Sequence, residues 1–205
     1  MKRRLAALLV AAAAASAFTS AAAAAGGSFT VSGGTPAEQS QIRAALDASS
    51  FDWSVLPQTI QVTIEPGVGD YATPGDVYLD PALLDQGEFS WGIVQHEFAH
   101  QVDFLLLSDA DRARLQQALG GVSWWPDATH QHSDFACERF ASTLAWSYWP
   151  SPENALRPQS ASDEAGAMAP AAFRALLAQV LPGAPTTPAP PPKVHAPKLT
   201  RHRVR

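Results

Sequence analysis

Three side chains in the segment WGIVQHEFAHQVD (residues 91–103) have types and spacing suited to metal chemistry: His96, Glu97 and His100. Four residues along an α-helix turn the chain by about 400° and advance it about 6 Å, so two imidazoles at that interval share one face. Placed so, both can bind one Zn²⁺ at about 2.0–2.1 Å. Glu97 falls a step round the helix, beside such an ion rather than on it. A carboxylate there can take a proton from metal-bound water and pass it to a leaving group. The pattern carries this meaning only on a helix. Ile93, Val94, Phe98 and Val102 recur around it as core-facing residues and predict one. The competing reading is a plain amphipathic helix with two hydrogen-bonded histidines.

A catalytic zinc needs a third protein ligand and an open position for water. The downstream candidates are His130, His132, Asp134 and Glu138. The first two lie in a loop, and Glu138 lies in the first turns of a predicted helix, in the string CERFASTLAW. The strings HEFAHQVD and Glu138-Arg139-Phe140-Ala141 together resemble the gluzincin metallopeptidases, in particular the lethal-factor-like branch with its E-x-F-A glutamate. The resemblance covers roughly residues 60–148. It implies a zincin-like fold in which His96, His100 and Glu138 hold one Zn²⁺ and Glu97 is the catalytic base.

The chain also departs from that family. Relatives often carry an oxyanion-stabilising tyrosine about seven residues before the ligand glutamate, where this sequence has Gln131 between His130 and His132. One of these histidines, or Tyr71, is left to supply the donor, and His132 is carried forward in that role. Thermolysin-like members place an acid four residues past the glutamate, where Ser142 stands here. The outer partner of a ligand histidine is therefore unassigned, with Asp103 a candidate one turn beyond His100.

The elements that must position these residues read as α+β. Thr35-Pro36-Ala37-Glu38 is a capping-box start for a helix to about residue 48. TIQVTIEP alternates with period two and reads as a strand. After the turn-rich GVGDYATPG, the run Asp76–Asp80 reads as a second strand, its Pro and Gly neighbours suiting a sheet edge. The resemblance implies that this edge strand lies beside the metal-bearing helix and pairs with an extended peptide. Helices follow from about Ser90, from Ser108 to the Gly120-Gly121 pair, from a Ser133 cap to Pro150, and from Pro170 to Pro182. Trp146 and Trp149 are expected in the core, and Trp124-Trp125 either in the core or lining a pocket.

The two ends differ from the body. Residues 1–25 have a basic start, an Ala/Leu run and small residues, the layout of a secretory signal peptide rather than a retained anchor. Residues 184–205 are dense in Pro and close on basic residues, a composition that builds no core. Residues 26–183 hold six bases against nineteen acids, 13 units negative, while the tail is 5 positive. A body so acidic does not bind nucleic acid, whereas the tail could touch an anionic cell envelope. The only cysteine, Cys137, excludes an intrachain disulfide and reads as a small buried hydrophobe.

These readings converge on an expectation: a small secreted zinc metallopeptidase domain over residues 26–183, monomeric, acting on peptide or protein substrates without a zymogen step. The rival expectation is a non-catalytic, zinc-stabilised module that binds the envelope through its tail. Glu97, not being a ligand, would be dispensable there.

Overall fold

A computed structural model describes residues 22–24 and 27–184. The expected leader, apart from Ala22–Ala24, and the Pro-rich tail from residue 185 onward lie outside the described residues.

The chain folds as α+β. Strand β1 (Ala22–Ala24) pairs antiparallel with β2 (Gly27–Gly33), which runs parallel to β3 (Ile60–Ile64). On the other side of β3 lies β5 (Asp76–Leu79), also parallel, and then β4 (Tyr71–Thr73), antiparallel. The order is β1-β2-β3-β5-β4. Helix α1 (Pro36–Ala48) links the parallel pair β2 and β3, and its expected capping box is formed at Thr35 and Glu38. A short α2 (Pro81–Leu84) precedes α3 (Glu88–Leu106), followed by α4 (Asp109–Leu119), α5 (Ala136–Tyr148) and α6 (Pro170–Val180).

The structure departs from the sequence expectations at several points. Asp76–Asp80 is not the sheet edge: its strand lies between β3 and β4, and the edge is Tyr71–Thr73, inside the stretch read as turn. The Pro74-Gly75 pair marks the tight β4–β5 turn, where Gly75 takes φ +91°. Strand β2 was not expected at all, since SFTVS is a short alternation flanked by glycines. Finally, α5 starts at Ala136 without a Ser133 cap, after a 3₁₀ turn over His132–Asp134. Its first N–H groups are satisfied by a neighbouring segment: Ala136 donates to the Ser123 carbonyl at 2.9 Å and Cys137 to that of Trp124 at 3.2 Å.

Helix α3 is the centre of the molecule. It packs on α1 and α5, and α5 packs in turn on α6. Val94, Phe98 and Val102 are fully buried among Phe29, Val62, Phe140 and Leu144, and the polar residues of the same helix are buried too. Each of those needs a partner. Gln95 donates to the Ala45 carbonyl at 2.7 Å. Gln101 accepts from Gly75 N at 2.8 Å and donates to the carbonyls of Thr73 and Asp76 at 2.9 and 3.0 Å. One buried amide, directly after His100, thus fixes the β4–β5 turn against α3. Trp146 and Trp149 are half-buried rather than core, Trp149 lying against Trp91. Among the described residues, no helix is long and apolar enough to cross a membrane.

Candidate metal centre

His96 and His100 project from the same face of α3, and α5 crosses so that Glu138 in its first turns meets them. His96 Nε2 and His100 Nε2 are 3.0 Å apart and lie 3.1 and 3.2 Å from Glu138 Oε2. All three residues are buried, with 6–7% of their surface exposed. Ligands at about 2.0–2.1 Å in tetrahedral array would have donor atoms roughly 3.3 Å apart. The observed triangle is close to that spacing, and its two neutral nitrogens and one carboxylate oxygen form a donor set that could hold a metal ion. The group joins residues 38 and 42 positions apart in sequence to two that are four apart.

The electrostatics point the same way. Burial would raise the Glu138 carboxyl, but hydrogen bonds from His100, His132 and His96 outweigh it and hold the group far below the usual range. Burial works against a charged His96, yet its bond to Glu138 and the nearby Glu97 carboxylate, with Glu138 and Glu164, keep its pKa above the ordinary value. The pocket therefore favours positive charge at its centre, whether as protons or as a metal ion. Glu97, 5% exposed, is not part of the triangle; burial raises its carboxyl, with the two histidines acting in opposition.

Of the remaining candidates, only some reach the site. His132 does: its Nε2 lies 3.1 Å from Glu138 Oε2, and its Nδ1 lies 2.8 Å from Glu164 Oε1. These two carboxylates raise its pKa to about 10. Tyr71 lies on the edge strand, stacked on Tyr78, and lines the same cavity. His130 instead pairs with Asp127 at 3.0 Å on the surface, and Asp134 accepts from Gln131 N in the 3₁₀ turn. Asp103 makes no hydrogen bond to His100. One of its oxygens accepts Arg112 Nε at 2.8 Å and the other Trp124 Nε1 at 2.9 Å, which pins the loop carrying His132 to α3.

The cavity over the triangle measures about 260 Å³ and is lined by Asp70, Tyr71, Glu97, Phe104, Trp125 and His132 among others. Its rim is aromatic. Phe104 stacks between His100 (centroids 6.0 Å apart) and Trp125 (5.9 Å), and the Arg112 guanidinium covers the Trp125 ring at 5.1 Å. Trp124 is core, whereas Trp125 is 45% exposed. Cys137 also borders the cavity, but burial pushes its thiol up and out of nucleophile range.

Two residues were missed by sequence reasoning. Ser142 Oγ lies 3.0 Å from His96 Nδ1 and donates to Glu164 Oε2 at 2.8 Å. Ser142 stood at the position where an acid was sought; nothing in the sequence tied it to Glu164, which opens a short 3₁₀ turn (Glu164–Gly166) 22 residues on.

Comparison with protein-family models, with curated proteins and with solved structures returned no match.

Proposed function

We propose that the chain is a zinc-dependent peptidase related to the gluzincins, with a zincin-like arrangement of edge strand and metal-bearing helix. The observation that carries this is the convergence of His96, His100 and Glu138 with a buried Glu97 beside them. Zinc held there would polarise the scissile carbonyl and lower the pKa of a bound water. Glu97 would accept the proton of the attacking water and return it to the leaving amine, a task suited to a carboxyl whose basicity burial has increased. His132, aimed inward by Glu164, would donate a hydrogen bond from Nε2 to the carbonyl oxygen as negative charge develops. Tyr71 is the alternative donor from the opposite element.

An extended peptide would pair with the free side of β4, held against α3 by Gln101, and draw affinity from main-chain hydrogen bonds. Phe104 and Trp125 would then flank the scissile bond, which favours substrates with a bulky apolar side chain next to it. Export by the N-terminal segment, and an envelope contact through the basic tail, complete the reading.

The test is Glu97→Gln. The variant should bind zinc like the wild type and lose at least 100-fold of its turnover of an unfolded protein substrate. Equal hydrolysis by both proteins would remove Glu97 from the mechanism. A wild type that binds zinc but cleaves nothing would favour the envelope-binding module.

A further inference from the structure

The serine that replaces an acid on α5 has a single proton, and its neighbours decide where that proton goes. Glu164, as a carboxylate, can only accept, so the Ser142 hydroxyl must donate to Oε2 across 2.8 Å. Ser142 Oγ then has only lone pairs left for His96 Nδ1 at 3.0 Å, and Nδ1 must carry the hydrogen. A neutral imidazole protonated at Nδ1 has its lone pair on Nε2, the atom that faces His100 and Glu138. The direction of the chain Glu164–Ser142–His96 is thus forced, and its outcome is the tautomer a metal ligand requires.

The other oxygen of the same carboxylate is used as well. Glu164 Oε1 lies 2.8 Å from His132 Nδ1, which turns His132 Nε2 toward Glu138. The loop that carries Glu164 is built to keep it there. Thr143, next to Ser142 on α5, donates to the Glu164 carbonyl at 3.1 Å. Asp163 accepts from the N–H groups of Gln159 and Ser160 at 2.6 and 2.9 Å. Gly166 passes so close to the Ser160 carbonyl that an added Cβ would sit 2.2 Å from its oxygen.

We propose that Glu164 is the positioning carboxylate of the metal centre: through Ser142 it fixes His96 as an Nε2 lone-pair donor, and directly it aims His132 into the site. This rests on the metal-site reading above and adds to it that the 158–168 loop, far from the metal-bearing helix in sequence, belongs to the active site.

The test uses the full chain, stripped of metal, and zinc affinity measured by competition with a chromogenic chelator. Ser142→Ala and Glu164→Gln should each weaken zinc binding roughly 10- to 100-fold, and the double variant no further than the worse single one. His132→Ala should keep zinc affinity within a few-fold while lowering turnover, and Glu164→Gln should show both losses. Unchanged zinc affinity in Ser142→Ala and Glu164→Gln overturns the proposal. So does a zinc loss in His132→Ala equal to that of Glu164→Gln, since Glu164 would then act through His132 alone. A readout on the wild type avoids dependence on folded variants: long-range ¹H–¹⁵N spectra of the zinc-loaded protein should show His96 protonated at Nδ1, and a metal-free or protonated Nε2 there contradicts the relay. A wild type that takes up no zinc fails the metal reading itself, an outcome distinct from zinc binding that ignores Ser142 and Glu164.

Discussion

Trp124 donates its indole N–H to Asp103 at 2.9 Å, joining the loop that bears His132 to the helix that bears His96 and His100. The other oxygen of Asp103 holds Arg112, and the carboxylate is completely buried. Burial pushes its pKa up, against the pull of Arg112 and Trp124. Removing the carboxylate leaves Trp124 Nε1 without its acceptor and Arg112 with Asp109 alone, and a buried hydrogen bond to a charged group is worth about 1.5–3 kcal/mol. Asp103→Ala should lower the urea unfolding free energy by about 3 kcal/mol and weaken the docking of the 122–135 loop. A loss under about 1 kcal/mol would show that the pair does not tie loop to helix.

The metal-free protein should have its own pH profile. Glu138 is held well below its ordinary value of 4.5, so its contribution is present above that pH and is lost as pH falls. His132 is raised from 6.5 to about 10, so its contribution is complete below 6.5 and drains away as pH rises through 10. Stability from this contact should therefore be greatest between about pH 4.5 and 6.5. Thermal melts of chelator-treated protein should fall on both sides, and His132→Gln should flatten the alkaline side. An identical alkaline slope in the variant would contradict the assignment.

Trp125 is 45% exposed and stacked on Phe104 at the rim of the cavity, and on the proposed peptidase reading it would contact substrate rather than support the fold. Burying a large apolar side chain is worth about 1.5–3 kcal/mol. Trp125→Ala should thus reduce kcat/KM roughly 10- to 100-fold for a peptide with Phe next to the scissile bond. It should change the Ala analogue by only a few-fold. Equal losses on the two peptides would place the apolar subsite elsewhere.

The parts legible in the sequence were those written in local pattern. The Thr35–Glu38 box, the Ser108 cap and the apolar spacing around His96 each involve residues within one or two turns, where periodicity and capping chemistry act. Glu138 stood in the sequence as one of four downstream candidates and was singled out through a resemblance, and the α3–α5 crossing that brings it to His100 is a tertiary fact. What escaped was non-local or weakly patterned. Strand β2 has too few alternating residues between glycines to stand out. The sheet edge was misplaced by one strand because Pro74-Gly75 signals a turn equally well on either side. Ser133 has the chemistry of a cap, but the carbonyls of Ser123 and Trp124 reached the helix N-terminus first. Glu164 reaches Ser142 from a loop without periodicity, so only the folded chain reveals the partnership.

The proposed function rests on His96, His100 and Glu138 holding one zinc ion. Its most direct test is metal analysis and zinc titration of chelator-stripped wild type and Glu138→Gln. One zinc per wild-type chain and an affinity at least 100-fold weaker in the variant are expected. Wild type without stoichiometric zinc, or a variant that binds as tightly as wild type, would contradict that reading.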